Sequence, residues 1–103
     1  MPVALFTVKA TIPADKEQAF NEWYNNEHVS DVLKYRGAVS ARRFKAIMPE
    51  DRFQYMAVYE FKDERTLREF LESDHLTWLK KEMDTRFGGV CERQRAAYVQ
   101  VWP

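Results

Sequence analysis

Cysteine is almost absent from this sequence, with Cys91 the only one in 103 residues. An intrachain disulfide is therefore excluded, and no second thiol is at hand for a redox pair or a thiolate metal site. The chain reads as one kept in a reducing compartment, and cytoplasmic residence is the expectation. An excess of positive charge is missing too. Lys plus Arg equals Asp plus Glu at 16 each, with seven of each in residues 1–51 and nine of each in residues 52–103. The small pairs Arg42–Arg43 and Arg93/Arg95 do not make a cationic footprint, so neither nucleic acid nor an anionic membrane is an expected partner. No apolar run approaches the roughly 20 residues that span a bilayer. The stretch Met1 to Thr11 lacks a basic leader and is interrupted by Lys9, so it reads as neither signal nor transit peptide. Three glycines and four prolines are scattered at apparent element boundaries. No linker, repeat or low-complexity tract results, and one domain over residues 1–103 is expected. Gly-rich phosphate loops, nucleophile-elbow patterns and paired cysteines are also missing, so no nucleotide or metal cofactor is implied.

Aromatic residues, by contrast, are plentiful: seven Phe, five Tyr and three Trp in a chain that is 46% hydrophobic. That supplies a core and material for a further buried surface. A chain of this size buries roughly two thirds of its unfolded surface, and association would add to a marginal stability.

Four segments read as strands. Val3 to Ala10 (VALFTVKA) is apolar and β-branched and stops before Pro13. Ala38 to Met48 follows Gly37, and Pro49-Glu50-Asp51 supplies a turn into Arg52 to Lys62, which makes a hairpin. The last strand runs from Glu92 to about Trp102, entered through Gly88-Gly89, whose backbone freedom suits a turn after a helix. Ala14 to Tyr35 carries helical signals, with Asp15 and Glu17 in its first turn. Asp63 can cap a helix over Glu64 to Glu72. Ser73 or Asp74 can cap another over His75 to Arg86, with Leu76, Leu79 and Met83 on one stripe. The order β-α-β-β-α-β predicts an α+β, ferredoxin-like domain: a four-stranded antiparallel sheet with its helices on one face.

The strands also say what to expect of the other face. In the third strand Phe53, Tyr55, Ala57, Tyr59 and Phe61 point one way and Gln54, Met56, Val58 and Glu60 the other. The first strand is apolar on both sides. A sheet with one wet face should alternate cleanly. This one does not, and a second copy of the chain is the expected cover, giving a homodimer through the sheet.

The segment Phe20 to Leu33 (FNEWYNNEHVSDVL) concentrates chemistry. On an ideal helix, with Trp23 at zero, Glu27, Phe20, Asp31, Tyr24 and His28 fall near about 40°, 60°, 80°, 100° and 140°. Two carboxylates and an imidazole would then share the aromatic face that meets the sheet. Buried ionisable groups cost several kcal/mol unless paired, so this face must open onto a cavity or hold a closed hydrogen-bond network.

The run WYNNEHVSDVL, then Tyr35-Arg36-Gly37 and Val39-Ser40-Ala41-Arg42-Arg43-Phe44, resembles the EthD-like branch of the dimeric α+β barrel superfamily. The match is good over residues 20 to 44, and the strand order extends it along the chain. It implies a dimeric α+β barrel in a superfamily that includes polyketide cyclases, muconolactone isomerase-like enzymes, cofactor-free monooxygenases and haem-degrading enzymes. The family's first-helix histidine maps onto His28 and its second-strand arginine onto Arg43. Relatives commonly carry Pro two residues after that histidine, where this chain has Ser30. Ser30 can cap a new short helix or lie inside a continuous one. His75 with Trp78 superficially resembles the haem-degrading members, but VALFTVKA has no counterpart of their first-strand Asn. Two histidines 47 positions apart make a poor metal site.

His28 is the candidate for acid–base work because imidazole exchanges protons near neutral pH. A structural role, bonded to Glu27, Asp31 or a backbone carbonyl, is the alternative. Glu27 and Asp31 would orient the ring or be solvated. Trp23 and Tyr24 would wall a pocket or pack the core. Arg43 would clamp a substrate oxygen or bridge to Glu60 or Glu92. Phe6 and Phe44 are further candidates for the wall. Two functions stay open. One is a cofactor-independent isomerase, cyclase or monooxygenase that acts on a small cyclic or aromatic metabolite by proton transfer. The other is a non-catalytic small-molecule-binding or accessory protein of the same fold.

Overall fold

The computed structural model describes residues 2–48 and 51–103. Strands β1 (Ala4–Thr11), β2 (Ala38–Lys45), β3 (Tyr55–Phe61) and β4 (Glu92–Val99) form one sheet in the order β2-β3-β1-β4, every neighbouring pair antiparallel. Helical segments fill the two crossovers. After a 3-10 turn at Ala14–Lys16 come α1 (Glu17–Trp23), a π-helical turn (Tyr24–His28) and α2 (Val29–Leu33); α3 (Glu64–Leu71) and α4 (Asp74–Phe87) follow β3. This is the expected β-α-β-β-α-β order and ferredoxin-like sheet. Among the described residues no helix is long and apolar enough to cross a membrane.

The caps lie where the side chains dictate. Asp63 accepts the Thr66 N–H at 2.8 Å and starts α3, and Ser73 accepts the Leu76 N–H at 3.1 Å and starts α4. Leu76, Leu79 and Met83 are buried along one stripe of α4. They meet Phe6 and Val8 of β1 and Ala57, Tyr59 and Phe61 of β3 in the core, together with Phe20, Tyr24 and Phe70. Replacing Phe70, fully buried and edge-on to Phe6, with Ala would cost roughly 3–5 kcal/mol.

Boundaries differ from expectation at three places. The hairpin connection is wider, because β2 ends at Lys45 and β3 begins only at Tyr55. Asp51 holds the loop, accepting the Phe53 N–H at 3.0 Å and pairing with Lys9 at 3.0 Å; Pro49 and Glu50 of the expected turn lie outside the described residues. Strand β4 stops at Val99, and the Gln100 N–H donates to Val3 before the chain leaves the sheet. Gly88 and Gly89 do not use the left-handed region; the one glycine that does is Gly37, at φ 99°.

Registry separates two surfaces. Ala4, Phe6, Val8, Ala57, Tyr59, Ala41, Arg43, Arg95 and Arg93 share the helix-covered face, and Leu5, Thr7, Val58, Met56, Arg42, Phe44, Ala96 and Tyr98 share the other. On that second face Phe44 and Tyr98 are 48% and 57% exposed, and Leu5, Met56 and Val58 are half-buried.

Gly37 fixes the entry into β2. Its carbonyl accepts the Lys62 N–H at 3.0 Å, and a Cβ there would come within 2.2 Å of the Thr66 Cγ2 methyl. Gly37→Ala meets both an unfavourable φ and a steric clash, so we expect a loss of roughly 2–3 kcal/mol in urea denaturation. Adding Thr66→Ser removes the methyl and should restore part of that loss. Equal stability of Gly37→Ala and the parent would contradict this account of the turn.

Candidate functional site

The site is built by one irregular turn. A continuous α-helix would aim Glu27 and Asp31 at the sheet, which is expensive for two carboxylates. Instead the Val29 N–H bonds to the Tyr24 carbonyl, five residues back, and opens a π-helical turn at Tyr24–His28. A wider turn advances each residue by less than the 100° or so of an α-helix. His28 therefore swings inward to the middle of the Phe20–Tyr24 face while Glu27 and Asp31 swing off its edge. Asn25 and Asn26, poor helix formers, are exposed at the widened turn. The helix does not break at Ser30, which lies within α2 without capping it.

His28 is 7% exposed. Its ring stacks on Trp23 with centroids 4.7 Å apart and meets Tyr24 edge-on at 4.8 Å. Nδ1 is buried without a hydrogen-bond partner, so no closed network holds the ring among the described residues. Burial pushes the imidazole pKa down to about 4; Asp31 opposes this, and Arg95 and Arg43 add to it. The ring is neutral at pH 7.

A small cleft borders His28, its free space of about 20 Å³ being roughly that of one or two water-sized spheres. Phe6 and Tyr59 form its sheet side, Phe70, Leu79 and Met83 its helix side, and Arg95 and Lys80 also line it. Tyr59 is buried, and its hydroxyl lies 3.5 Å from that of Tyr24, to which it donates. Burial raises both phenol pKa values, so both stay protonated and can donate hydrogen bonds.

The sequence candidates divide accordingly. His28 and Phe6 line the cleft. Trp23 and Tyr24 pack behind the imidazole. Asp31 sits at the margin: its carboxylate pairs with Lys34 at 3.1 Å, and its carbonyl accepts from His75 Nε2 at 2.8 Å. His75 thus ties α4 to α2. Glu27 is exposed, 3.8 Å from Arg86 and away from the cleft, because the wide turn rotates it out. Arg43 is on the far side of Tyr24, 4.2 Å above its ring, with Nη1 donating to Asn25 at 2.9 Å. It bridges to neither Glu60 nor Glu92; Glu60 is on the opposite sheet face, and Glu92 is paired with Arg52. Phe44 also points to the opposite face, paired with Met56, so it cannot wall the cleft.

Tyr59, Arg95 and Lys80 are cleft residues that the sequence reading missed. For Arg95 a signal existed: once β4 is aligned antiparallel to β1, Arg95 pairs with Val8 and must share its face.

An antiparallel sheet carrying a helical layer, with a cleft between them, defines the fold class, and comparison with known proteins gives the family. The chain belongs to the family described as a domain of unknown function (DUF4286), whose model matches residues 3–99. It is 36% identical over 64 residues to Core atranone cluster (CAC) protein 1 of Stachybotrys chlorohalonatus, a match covering 61% of this chain and 27% of that protein. The chain thus spans about a quarter of that curated relative. An ethyl tert-butyl ether d (EthD) family protein from Bacillus halodurans shares the fold with a TM-score of 0.67 at 23% identity, covering 93% of this chain and 97% of that one. It represents the branch that residues 20 to 44 resemble. SnoaB, a cofactor-independent oxygenase from Streptomyces nogalater, does so with a TM-score of 0.65 at 12% identity, covering 98% and 95%.

The buried imidazole makes stability depend on pH. The unfolded chain takes up this proton near pH 6.5, the folded chain near 4. The contribution of the neutral ring is therefore complete above 6.5 and drains away as pH falls toward 4, by roughly 3 kcal/mol in all. We expect wild type to lose about 2 kcal/mol more than His28→Gln between pH 7.5 and 5 in urea denaturation. Parallel losses in the two proteins would show that His28 is not buried as a neutral ring.

Proposed function

We propose that this protein is a cofactor-independent enzyme that moves a proton on a small cyclic or aromatic metabolite, with His28 as the proton acceptor, and that it works as a homodimer. One observation carries the reading: a buried, neutral imidazole without a protein partner at Nδ1 borders a cleft between aromatic walls. A structural histidine would have its ring nitrogens satisfied. Tyr59 would turn its hydroxyl from Tyr24 to donate to the oxygen on which charge develops as carbon loses its proton, and Arg95 would offset that charge. Trp23 and Tyr24 would hold the imidazole plane. The fold shared with a cofactor-independent oxygenase fits this chemistry. A binding-only role is the second reading, favoured by the weak basicity of an imidazole with a pKa of about 4.

The two readings separate in deuterium oxide. Enolisable cyclic ketones and lactones, incubated with the protein and followed by proton NMR, should exchange at carbon if His28 is a base. His28→Gln should slow exchange by about a hundredfold or more, with circular dichroism unchanged. Ligands that bind without exchange in both proteins would leave only the binding role.

The dimer reading rests on the helix-free face of Leu5, Met56, Val58, Phe44 and Tyr98. Light scattering should give about twice the chain mass of 12.3 kDa. Met56→Asp should halve that value, since an unpaired carboxylate buried on each subunit costs several kcal/mol. A wild-type monomer would remove the dimer.

A further inference from the structure

The cleft is lined by two cations, Arg95 and Lys80, and by no carboxylate. In a chain with equal numbers of acidic and basic residues that is a local bias. Neighbouring cations do find partners: Arg93, on the same face of β4, pairs with Asp84, and Arg86 on α4 approaches Glu27 at 3.8 Å. Arg95 and Lys80 make no ion pair or side-chain hydrogen bond among the described residues. Unpaired lysines are ordinary on a surface. These two, both exposed, border the mouth of an apolar cleft next to a buried imidazole. Arg95 as a whole is exposed, yet burial of part of it, followed by the charge of Arg93, lowers its pKa. Its positive charge is thus held beside a like charge and without an acidic neighbour in the cleft. Apart from His28 and Tyr59, whose hydroxyl donates to Tyr24, the remaining lining is apolar, Phe6, Phe70, Leu79 and Met83 among it.

We infer that the ligand of this cleft is an organic acid, its carboxylate held at the cleft mouth by Arg95 and Lys80. The inference rests on the cleft being the functional site, as proposed above, but not on any chemistry there. Arg95 is then the selectivity residue: a guanidinium grips a carboxylate through paired N–H donors, and a neutral amide of the same shape forgoes the charge-assisted bond.

The test uses benzoate, salicylate and 1-naphthoate, each against its carboxamide, titrated into full-length protein and followed by NMR chemical-shift perturbation. The acids should bind about ten- to a hundredfold more tightly than the amides, the range of a charge-assisted hydrogen bond. Arg95→Gln should erase most of that preference while leaving amide binding within about threefold, Arg95→Lys should keep part of it, and Lys80→Gln should reduce it less. Circular dichroism confirms that each variant is folded. Equal binding of acids and amides, no binding of any acid at millimolar concentration, or an acid preference that survives Arg95→Gln and Lys80→Gln together would overturn the inference. Acid-selective binding without carbon exchange would uphold it and defeat the proton-transfer reading. Exchange on neutral ketones with no acid preference would do the reverse.

Discussion

The widened turn at Tyr24–His28 is the constraint on which the site depends. Desolvating two carboxylates would cost several kcal/mol, more than the strain of a single irregular turn. The helix therefore unwinds locally, and in doing so it carries His28 to the centre of the aromatic face. One movement excludes Glu27 and Asp31 from the core and leaves the imidazole without a carboxylate partner. Had the helix stayed regular, the histidine would have sat at the margin with two acids beside it, and pairing with them would have raised its pKa.

Strand registry then decides what that imidazole faces. Because side chains alternate, the face of β1 that presents Phe6 and Val8 to the helices presents Leu5 and Thr7 to the other side. Strand β3 does the same with Tyr59 and Val58, and β4 with Arg95 and Ala96. The cleft and the opposite apolar face are therefore two products of one alternation. A one-residue slip of β4 would remove Arg95 from the cleft and put Ala96 in its place.

Much of the fold is legible in the sequence because the signals are local. Asp63 and Ser73 cap helices whatever surrounds them, and the alternation in Tyr55–Phe61 assigns faces before any pairing is known. The candidate site was legible only in part. Trp23 and Tyr24 fall where an aromatic helix face puts them, but His28 lies further in and Glu27 and Asp31 further out than periodicity predicts, because it assumes a uniform turn and the cost of burying the carboxylates is what breaks it. Resemblance singles out Arg43, and Phe44 is a wall candidate as a second-strand aromatic; only the pairing of Arg43 with Ala57 and of Phe44 with Met56, and the stacking of Arg43 on Tyr24, show that the first braces Tyr24 and the second faces away. Arg95 and Tyr59 become neighbours through three strands distant in sequence, which no local pattern encodes.

The electrostatics of the cleft close the argument. Burial is the largest influence against a proton on His28; Asp31 opposes it, and Arg95, Arg43 and Arg93 add to it. These groups together hold the imidazole as a poor base, able to accept a proton only weakly. An organic anion seated against Arg95 would offset one of these charges and add its own, and both changes favour the protonated ring. On this view basicity at His28 is supplied by the ligand. The same charge that selects an acid in the cleft would ready the imidazole for the proton it takes, while water reaching an unoccupied cleft would meet a histidine with little tendency to react.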